Sequence, residues 1–419
     1  MGRGCCRDVF GGDGFKKFTP RGPTAATMQT MQSMDTALKQ LTDRIRAASA
    51  DGTTLRIRGG GTKDFYGNRL QGDLLDTTGL SGILSYEPTE LVVTVGAGTP
   101  LAELEALLAG RGQCLAFEPP HFSWSGTSGG AAGSTATVGG MVAAGLSGPA
   151  RASAGAVREY VLGLHMVNGL GEELVFGGQV MKNVAGYDVS RMMVGSMGTL
   201  GLITEVSLKV LPVAPLEATL VFALDQASAL ERLHQWGGQP LPLSASCWVR
   251  DDTQSEGAQD LLFVRLRGAV AAVEAACNKM LAEQPGQRLD SAQAQADWEL
   301  CRNQQLPFFK RPVADNMVLW RLSVAQTAPV LDVPWAQLVE WHGGLRWLWA
   351  PLDAAPQLQA AAHAQGGNAT IFVADGAHST GASGHFGTQD PVQMAIQQRL
   401  KQSLDPKAIF NPQRLFQAF

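Results

Sequence analysis

GTSGGAAGSTATVGGMVAAGLSG, residues 126–148, is the stretch on which the reading of this chain turns. Eight of its 23 residues are glycine, nearly all the rest are Ala, Ser, Thr and Val, and none is charged. Such a run is a poor helix or strand former, because each interior glycine costs roughly 0.5–1 kcal/mol relative to alanine. It offers bare backbone instead, with amide N–H groups that can approach a large, flat or phosphorylated ligand closely. We read it as one wall of a cofactor site.

Outward from that wall the glycines continue, 29 of the chain's 49 falling between Gly59 and Gly201. A strand at Thr54–Arg58 (TLRIR) runs straight into Gly59, Gly60, Gly61, Thr62 and Lys63. Three glycines after a strand let successive N–H groups converge on an anion. Arg58 and Lys63 add positive charge suited to a diphosphate, with a plain tight turn as the alternative. A strand at Leu91–Val95 leads into Gly96-Ala97-Gly98-Thr99-Pro100, which opens like a nicotinamide-dinucleotide fingerprint. Leu101 stands where the third glycine belongs, however, and the full GxGxxG with its later acidic residue is required. Thr99-Pro100 as an ordinary helix start explains those residues. No P-loop motif occurs. Beyond the opening stretch, strands at Tyr160–Val167 and Glu173–Phe176 turn at Asn168-Gly169. Asp188 is placed to cap a helix at Val189–Val194, and GSMGTLG (195–201) feeds a strand at Leu202–Val210.

A length of 419 residues implies two to three domains. Charged residues make up 17%, below the usual ~25%, which points to surface covered by partner subunits. The net charge of −4, with no basic stripe, argues against nucleic acid as a partner. None of the six cysteines has CxxC spacing, so neither zinc nor an iron–sulfur cluster is expected in this chain, and the metal sites are none. Without a signal-like apolar segment or a run of about 20 apolar residues, the chain reads as cytoplasmic with no transmembrane segment. Residues 1–34 lack any period and read as a disordered or over-extended start before a helix at Asp35–Ala50, capped by Asp35. Gly2, Cys5 and Cys6 suggest an acylation signal, but position 6 lacks the Ser or Thr of the myristoylation pattern.

From about residue 214 glycine thins out and strands alternate with helices. The strands are Leu216–Leu224, Leu243–Val249, Leu261–Arg267, Met317–Val324, Gly344–Ala350 and Ala369–Val373. The helices between them are Gln226–Trp236, Ala269–Glu283, Ala292–Asn303 and Asp353–Gln365. That order suggests an antiparallel sheet covered by helices, an α+β unit. Five of the nine tryptophans lie between Trp320 and Trp349; they read as its core, with a subunit interface as the alternative. Arg321 and Arg346 could each bind a substrate carboxylate, with solvated strand faces as the alternative. His378 and His385 lie in a Gly/Ser loop and are left without a role.

Four segments occur in an order found in FAD-linked oxidases: RGGGTK (58–63), ATVGGMVAAGLSGP (136–149), KNVAGYDVSRMMVGSMGTLGLIT (182–204) and DPKAIFNPQRL (405–415). The chain resembles the vanillyl-alcohol-oxidase-type, PCMH-type FAD-binding superfamily, and within it the FAD-binding subunits of bacterial glycolate oxidases. GGQVMKNVAGYD (177–188) and EPPHF (118–122) carry the second likeness. The resemblance implies an α+β fold: a two-lobed PCMH-type FAD-binding domain at 35–213, a cap with an antiparallel sheet at 214–390, and a C-terminal segment, 391–419, returning to the FAD domain. It implies that Gly59, Gly60, Gly61, Thr62 and Lys63 wrap the FAD pyrophosphate. Thr137, Gly139, Gly140, Ala143 and Gly145 would lie along pyrophosphate and isoalloxazine. Ile203 would reach the cofactor through backbone, and Asn411 would lie near the flavin, unless that run is a plain chain terminus.

Two departures from the family pattern matter. Many relatives attach FAD through a histidine just after the first glycine pair; here Gly61, Thr62 and Lys63 stand there, so the FAD is expected to be noncovalent. The segment 122–135 is longer and richer in Gly and Ser than the likeness implies, so Gly126–Ser134 reads as a loop insertion and Thr137–Gly148 as the flavin wall. HAQGGNAT (363–370) resembles a worn H-x-GDGN-x-H box, its Asp and second His lost, with His363 equally explained as a helix C-terminal cation. Catalytic residues are therefore left unassigned. The implied function is the FAD subunit of a heteromeric glycolate (D-2-hydroxy acid) dehydrogenase. Its implied partners are a paralogous FAD subunit and an iron–sulfur subunit, with peripheral inner-membrane association only through the complex. A self-sufficient 2-hydroxy acid dehydrogenase and a non-catalytic assembly subunit are the alternatives.

Overall fold

The computed structural model describes residues 25–122, 135–178, 189–252, 257–312, 316–374, 384–387 and 389–418. The 181–188 motif with its Asp188 cap, the proposed insertion Gly126–Ser134, His378 and the Gly2/Cys5/Cys6 segment lie outside them.

A helix at Ala25–Asp51 opens the described chain, ten residues before the start expected at Asp35. Ala, Met and Gln in AATMQTMQSM are good helix formers, and buried Met34 joins Ile45 and Ala48 in anchoring the helix to the first domain. Asp35 is therefore an exposed mid-helix residue and caps nothing.

The first domain contributes β1 (Leu55–Arg58), β2 (Asp73–Asp76), β3 (Ile83–Glu87), β4 (Val92–Gly96), β5 (Gln113–Cys114), β6 (Val161–Val167), β7 (Glu173–Gly177), β8 (Leu202–Lys209) and β9 (Leu211–Pro212). β1 and β2 pair in parallel, Leu55 opposite Asp73. The order β3-β4-β8-β6-β7 makes an antiparallel five-stranded sheet. The Leu101–Ala109 helix buries Leu101, Leu104 and Leu108 against it, one stripe at helical spacing.

The second domain adds β10 (Leu216–Ala223), β11 (Leu243–Asp251), β12 (Gln259–Gly268), β13 (Gln287–Arg288), β14 (Met317–Ser323), β15 (Gln337–Glu340), β16 (Leu345–Pro351) and β17 (Asn368–Val373). They form an eight-stranded antiparallel sheet in the order β13-β10-β12-β11-β15-β16-β14-β17. The α+β cap with an antiparallel sheet is thus what the chain folds into. Helices at Gln226–Gly237, Val270–Glu283 and Ala355–Ala364 cover one face through Leu233, Trp236, Met280 and Leu358. The other face sets Leu338, Trp347 and Trp349 against Tyr66, Phe122 and Leu146 of the first domain.

That two-sided cover answers the question of the tryptophans and arginines. Trp320, Trp341, Trp347 and Trp349 are buried core. Arg346 is not on a solvated face: it is fully buried on the helix-covered side, Nη2 donating to Ala328 O at 3.2 Å, and burial lowers its guanidinium to about 10. Arg321 projects from the opposite face, half-buried, with its guanidinium centre 5.1 Å from the Trp341 ring.

After a helix at Pro391–Leu404 the chain returns to the first domain, where Leu55 N–H donates to Ile409 O and Asn411 N–H to Leu55 O. Lys401 fixes this return: its buried ammonium donates to Thr199 O, Phe410 O and Asp405 Oδ2 at 2.7–3.0 Å.

Candidate functional site

One cleft gathers the glycine-rich segments. It is lined by Gly59, Gly60, Gly61, Thr62 and Lys63 from the loop after β1, and by Thr137, Gly139, Gly140 and Ala143 from the Val138–Ala144 helix and its cap. Ile203 of β8 and Asn411 of the C-terminal run complete the expected set. Gly145 is the exception. It ends the helix in the left-handed conformation (φ 64°), and a Cβ there would lie 3.0 Å from Gly195 N. Turn geometry and close packing explain this glycine, and it does not line the cleft.

The other glycines serve as much to bring walls together as to meet a ligand. A Cβ on Gly60 would lie 1.6 Å from Thr135 O, and one on Gly59 2.4 Å from Thr137 Oγ1. On Gly139 it would lie 2.7 Å from Ala97 Cβ, while Gly139 N–H donates to Ala97 O at 2.7 Å. The GAGTP run read as a helix start is thus also a wall, since Ala97 lines the cleft. Gly61 sits at φ 73°, where L side chains are strained.

Sequence reasoning missed several lining residues. Met197, Gly198 and Gly201, all from the GSMGTLG turn, line the cleft too. Arg414 had no signal beyond its place in the last motif. Its guanidinium donates to the carbonyls of Lys63, Asp64, Tyr66 and Asn68, fixing the exit of the first glycine loop. Asn411 acts as a strut: its Oδ1 accepts from Ile57 N–H at 2.7 Å and its Nδ2 donates to Met197 O at 2.6 Å.

The charges divide unevenly. Arg58, expected to face a diphosphate, is paired with Asp64 at 2.7 Å. Lys63 has no carboxylate partner among the described residues; its ammonium touches only Thr62 Oγ1, at 3.4 Å, and lies 5.6 Å from the Phe122 ring centre. Burial, aided by the nearby Arg302 charge, lowers it to about 8. An unpaired ammonium beside bare amides fits a diphosphate, which would restore the charged form. FAD affinity should therefore be level below pH 8 and weaken above it, as the empty cleft's Lys63 loses its proton. A titration of apoprotein with FAD from pH 7 to 10 checks this, and Lys63→Met should bind more weakly throughout with a flat profile.

The histidines lie elsewhere. His363 is exposed on the last turn of the Ala355–Ala364 helix, and Thr370 Oγ1 donates to Arg321 O at 3.2 Å. His385 is buried, its Nδ1 3.3 Å from Ile371 O, and burial lowers it to about 4. Neither lines the cleft. Among the described residues no group of His, Cys, Asp or Glu is placed to hold a metal ion, and no helix is long and apolar enough to cross a membrane.

EPPHF proves to be a latch between the domains. Glu118 accepts from Arg265 Nη2 at 2.8 and 2.9 Å and from Arg267 Nη1 at 2.9 Å. Pro119 O accepts from Arg302 Nε at 2.9 Å, and His121 N–H donates to Asn303 Oδ1 at 2.9 Å.

A cleft of this build, between two glycine-rich walls under an antiparallel cap, defines an FAD-binding oxidoreductase, and the FAD binding domain family matches residues 36–177. Glycolate oxidase subunit GlcE of Escherichia coli K12 is 40% identical over 376 residues, 90% of this chain and 96% of that protein. The chain belongs to the family of that FAD-linked oxidase subunit. D-2-hydroxyglutarate dehydrogenase of Xanthomonas citri pv. viticola is 27% identical over 222 residues, 53% of this chain and 43% of that protein. Glycolate oxidase subunit GlcD of Bacillus subtilis is 31% identical over 150 residues, 36% of this chain and 30% of that protein. The solved alkyldihydroxyacetonephosphate synthase shares the fold, with a TM-score of 0.61 at 16% identity over 90% of this chain and 76% of that one.

Proposed function

We propose that the chain is the FAD-carrying subunit of a heteromeric glycolate (D-2-hydroxy acid) dehydrogenase. The observation that carries this is the likeness to a glycolate oxidase subunit over 96% of its length, so that the cap is shared as well as the FAD domain. Bound FAD supplies a two-electron acceptor for the hydride leaving the hydroxyl-bearing carbon. The chain's own part is to hold and orient: glycine amides and Lys63 at the diphosphate, Asn411 and Arg414 bracing the loop, and the cap excluding water. The cleft's described lining has no His, Cys or Tyr that could bond a flavin, which supports noncovalent FAD.

No histidine of the described cleft stands ready as a base for the substrate hydroxyl. A paralogous FAD subunit with an intact His box fits that gap, and an iron–sulfur subunit fits a chain whose cysteines have no cluster spacing. The complex would work in the cytoplasm, with any hold on the inner membrane made through its other subunits. Anaerobic glycolate added to the purified chain should leave its flavin oxidised, and bleaching should appear once the partner subunits are added. Bleaching of the chain alone would overturn the division of labour in favour of a self-sufficient dehydrogenase. A colourless chain that still assembles would make it an assembly subunit.

A further inference from the structure

Phe122 has two features that its burial does not explain. It sits at φ 52°, in the left-handed region that a bulky side chain rarely adopts, and Lys63 Nζ lies 5.6 Å from the centre of its ring. Strain of that kind persists only where the surroundings hold it, and here the holding groups belong to the cap. Arg302, at the end of the Ser291–Arg302 helix, donates from Nε and Nη2 to Pro119 O at 2.9 and 2.6 Å. The next residue, Asn303, accepts from His121 N–H at 2.9 Å. The ring is 2% exposed and packs edge-on against Phe65, two residues past Lys63, and Phe372 of β17, with centroids 5.4 and 6.0 Å away.

Two opposed forces meet at Lys63. The face of the Phe122 ring attracts an ammonium through the negative charge of its π system. Arg302, which lines the same small void as Phe122, repels it. Among the described residues the other charged groups nearby are engaged elsewhere. Arg58 and Asp64 pair with each other, and Glu105 pairs with Arg302 and His121. Arg414 of the C-terminal run donates to the carbonyls of Lys63 and Asp64.

We propose that Phe122 and Arg302 are positioning residues that act on Lys63 in opposite senses, the ring holding its ammonium and the guanidinium opposing it. Because the end of a cap helix sets both groups, the affinity for FAD depends on how the cap is docked. That consequence rests on Lys63 meeting the diphosphate, as proposed above, but the two effects on the ammonium can be read without FAD. Burial is the larger cause of the fall of Lys63 to about 8, and the Arg302 charge is the second. Leucine at 122 keeps the burial and loses the π face, so Lys63 should give up its proton at lower pH. Glutamine at 302 removes the repulsion, so Lys63 should keep its proton to higher pH.

The test reads Lys63 in the full-length apoprotein, by competitive acetylation and mass spectrometry across pH 7 to 10, beside FAD titrations over the same range. Phe122→Leu should lower the Lys63 midpoint by about half a pH unit and weaken FAD binding about threefold at neutral pH. Phe122→Tyr keeps the π face and should restore wild-type behaviour. Arg302→Gln should raise the midpoint and carry FAD binding to higher pH than in wild type. A purely structural role would weaken FAD binding in both variants without separating their midpoints. Midpoints that coincide in wild type, Phe122→Leu and Arg302→Gln, or that move in one direction, would overturn the inference. If Arg302→Gln fails to fold, the two Phe122 variants decide: a fall in leucine alone supports it, and no fall overturns it. Opposite shifts to which FAD affinity is indifferent would leave the hold on Lys63 standing and overturn the diphosphate reading instead.

Discussion

Gly60→Ala should yield a chain that retains little or no FAD. The added methyl group would stand 1.6 Å from Thr135 O, a backbone atom of the opposite wall. No rotamer change relieves a Cβ clash with backbone, so the two walls must part by more than an ångström. Overpacking of this kind costs roughly 1–3 kcal/mol and sometimes more, and here the strain falls on the loop proposed to meet the diphosphate. FAD content after gel filtration, with circular dichroism to confirm the fold, checks the result. Gly178→Ala is the control, because a Cβ there meets nothing within 4 Å. Stoichiometric FAD in Gly60→Ala would mean that the first loop is not where the diphosphate sits.

Glu118→Leu should destabilise the joined domains by about 3–5 kcal/mol, the usual result of removing one partner from a buried ion pair. Arg265 is 3% exposed, and the loss of Glu118 would strand its charge between cap and first domain. Burial alone would raise the Glu118 carboxyl, but Arg265 and Arg267 outweigh it and hold it below the ordinary range. Because the folded pKa is depressed, the latch contributes fully above the unfolded glutamate range and is lost as pH falls through the folded value. Thermal unfolding at neutral pH should show a large fall in Tm, with the gap between variant and wild type closing in acid. An unchanged Tm would show that the domains are held by the aromatic contacts alone.

The glycine loops were legible because close backbone approach needs glycine at consecutive positions, and that leaves a contiguous mark. The cap's strands were legible as apolar runs alternating with helical segments, as at Leu216–Ala223 and Leu345–Pro351. β15 was not: with only four residues, QLVE is too short a run to stand out from its surroundings. The N-terminal helix was placed too late because its first turns are Ala, Thr, Gln and Met with no apolar stripe. Arg346 was misjudged because alternation says which residues share a face and not what covers it. Arg414 and the EPPHF latch act on partners more than a hundred residues away, so spacing could not reveal them. Gly145 differs from the other glycines of its motif, since it ends the Val138–Ala144 helix in the left-handed conformation.

We propose that the cleft between the RGGGTK loop and the Val138–Ala144 helix holds FAD without a covalent bond. The most direct measurement is the flavin content of the purified chain before and after acid precipitation. One FAD per chain, recovered entirely in the supernatant, is the predicted result. A chain that stays colourless when FAD is added, or a flavin that remains with the precipitate, would contradict it.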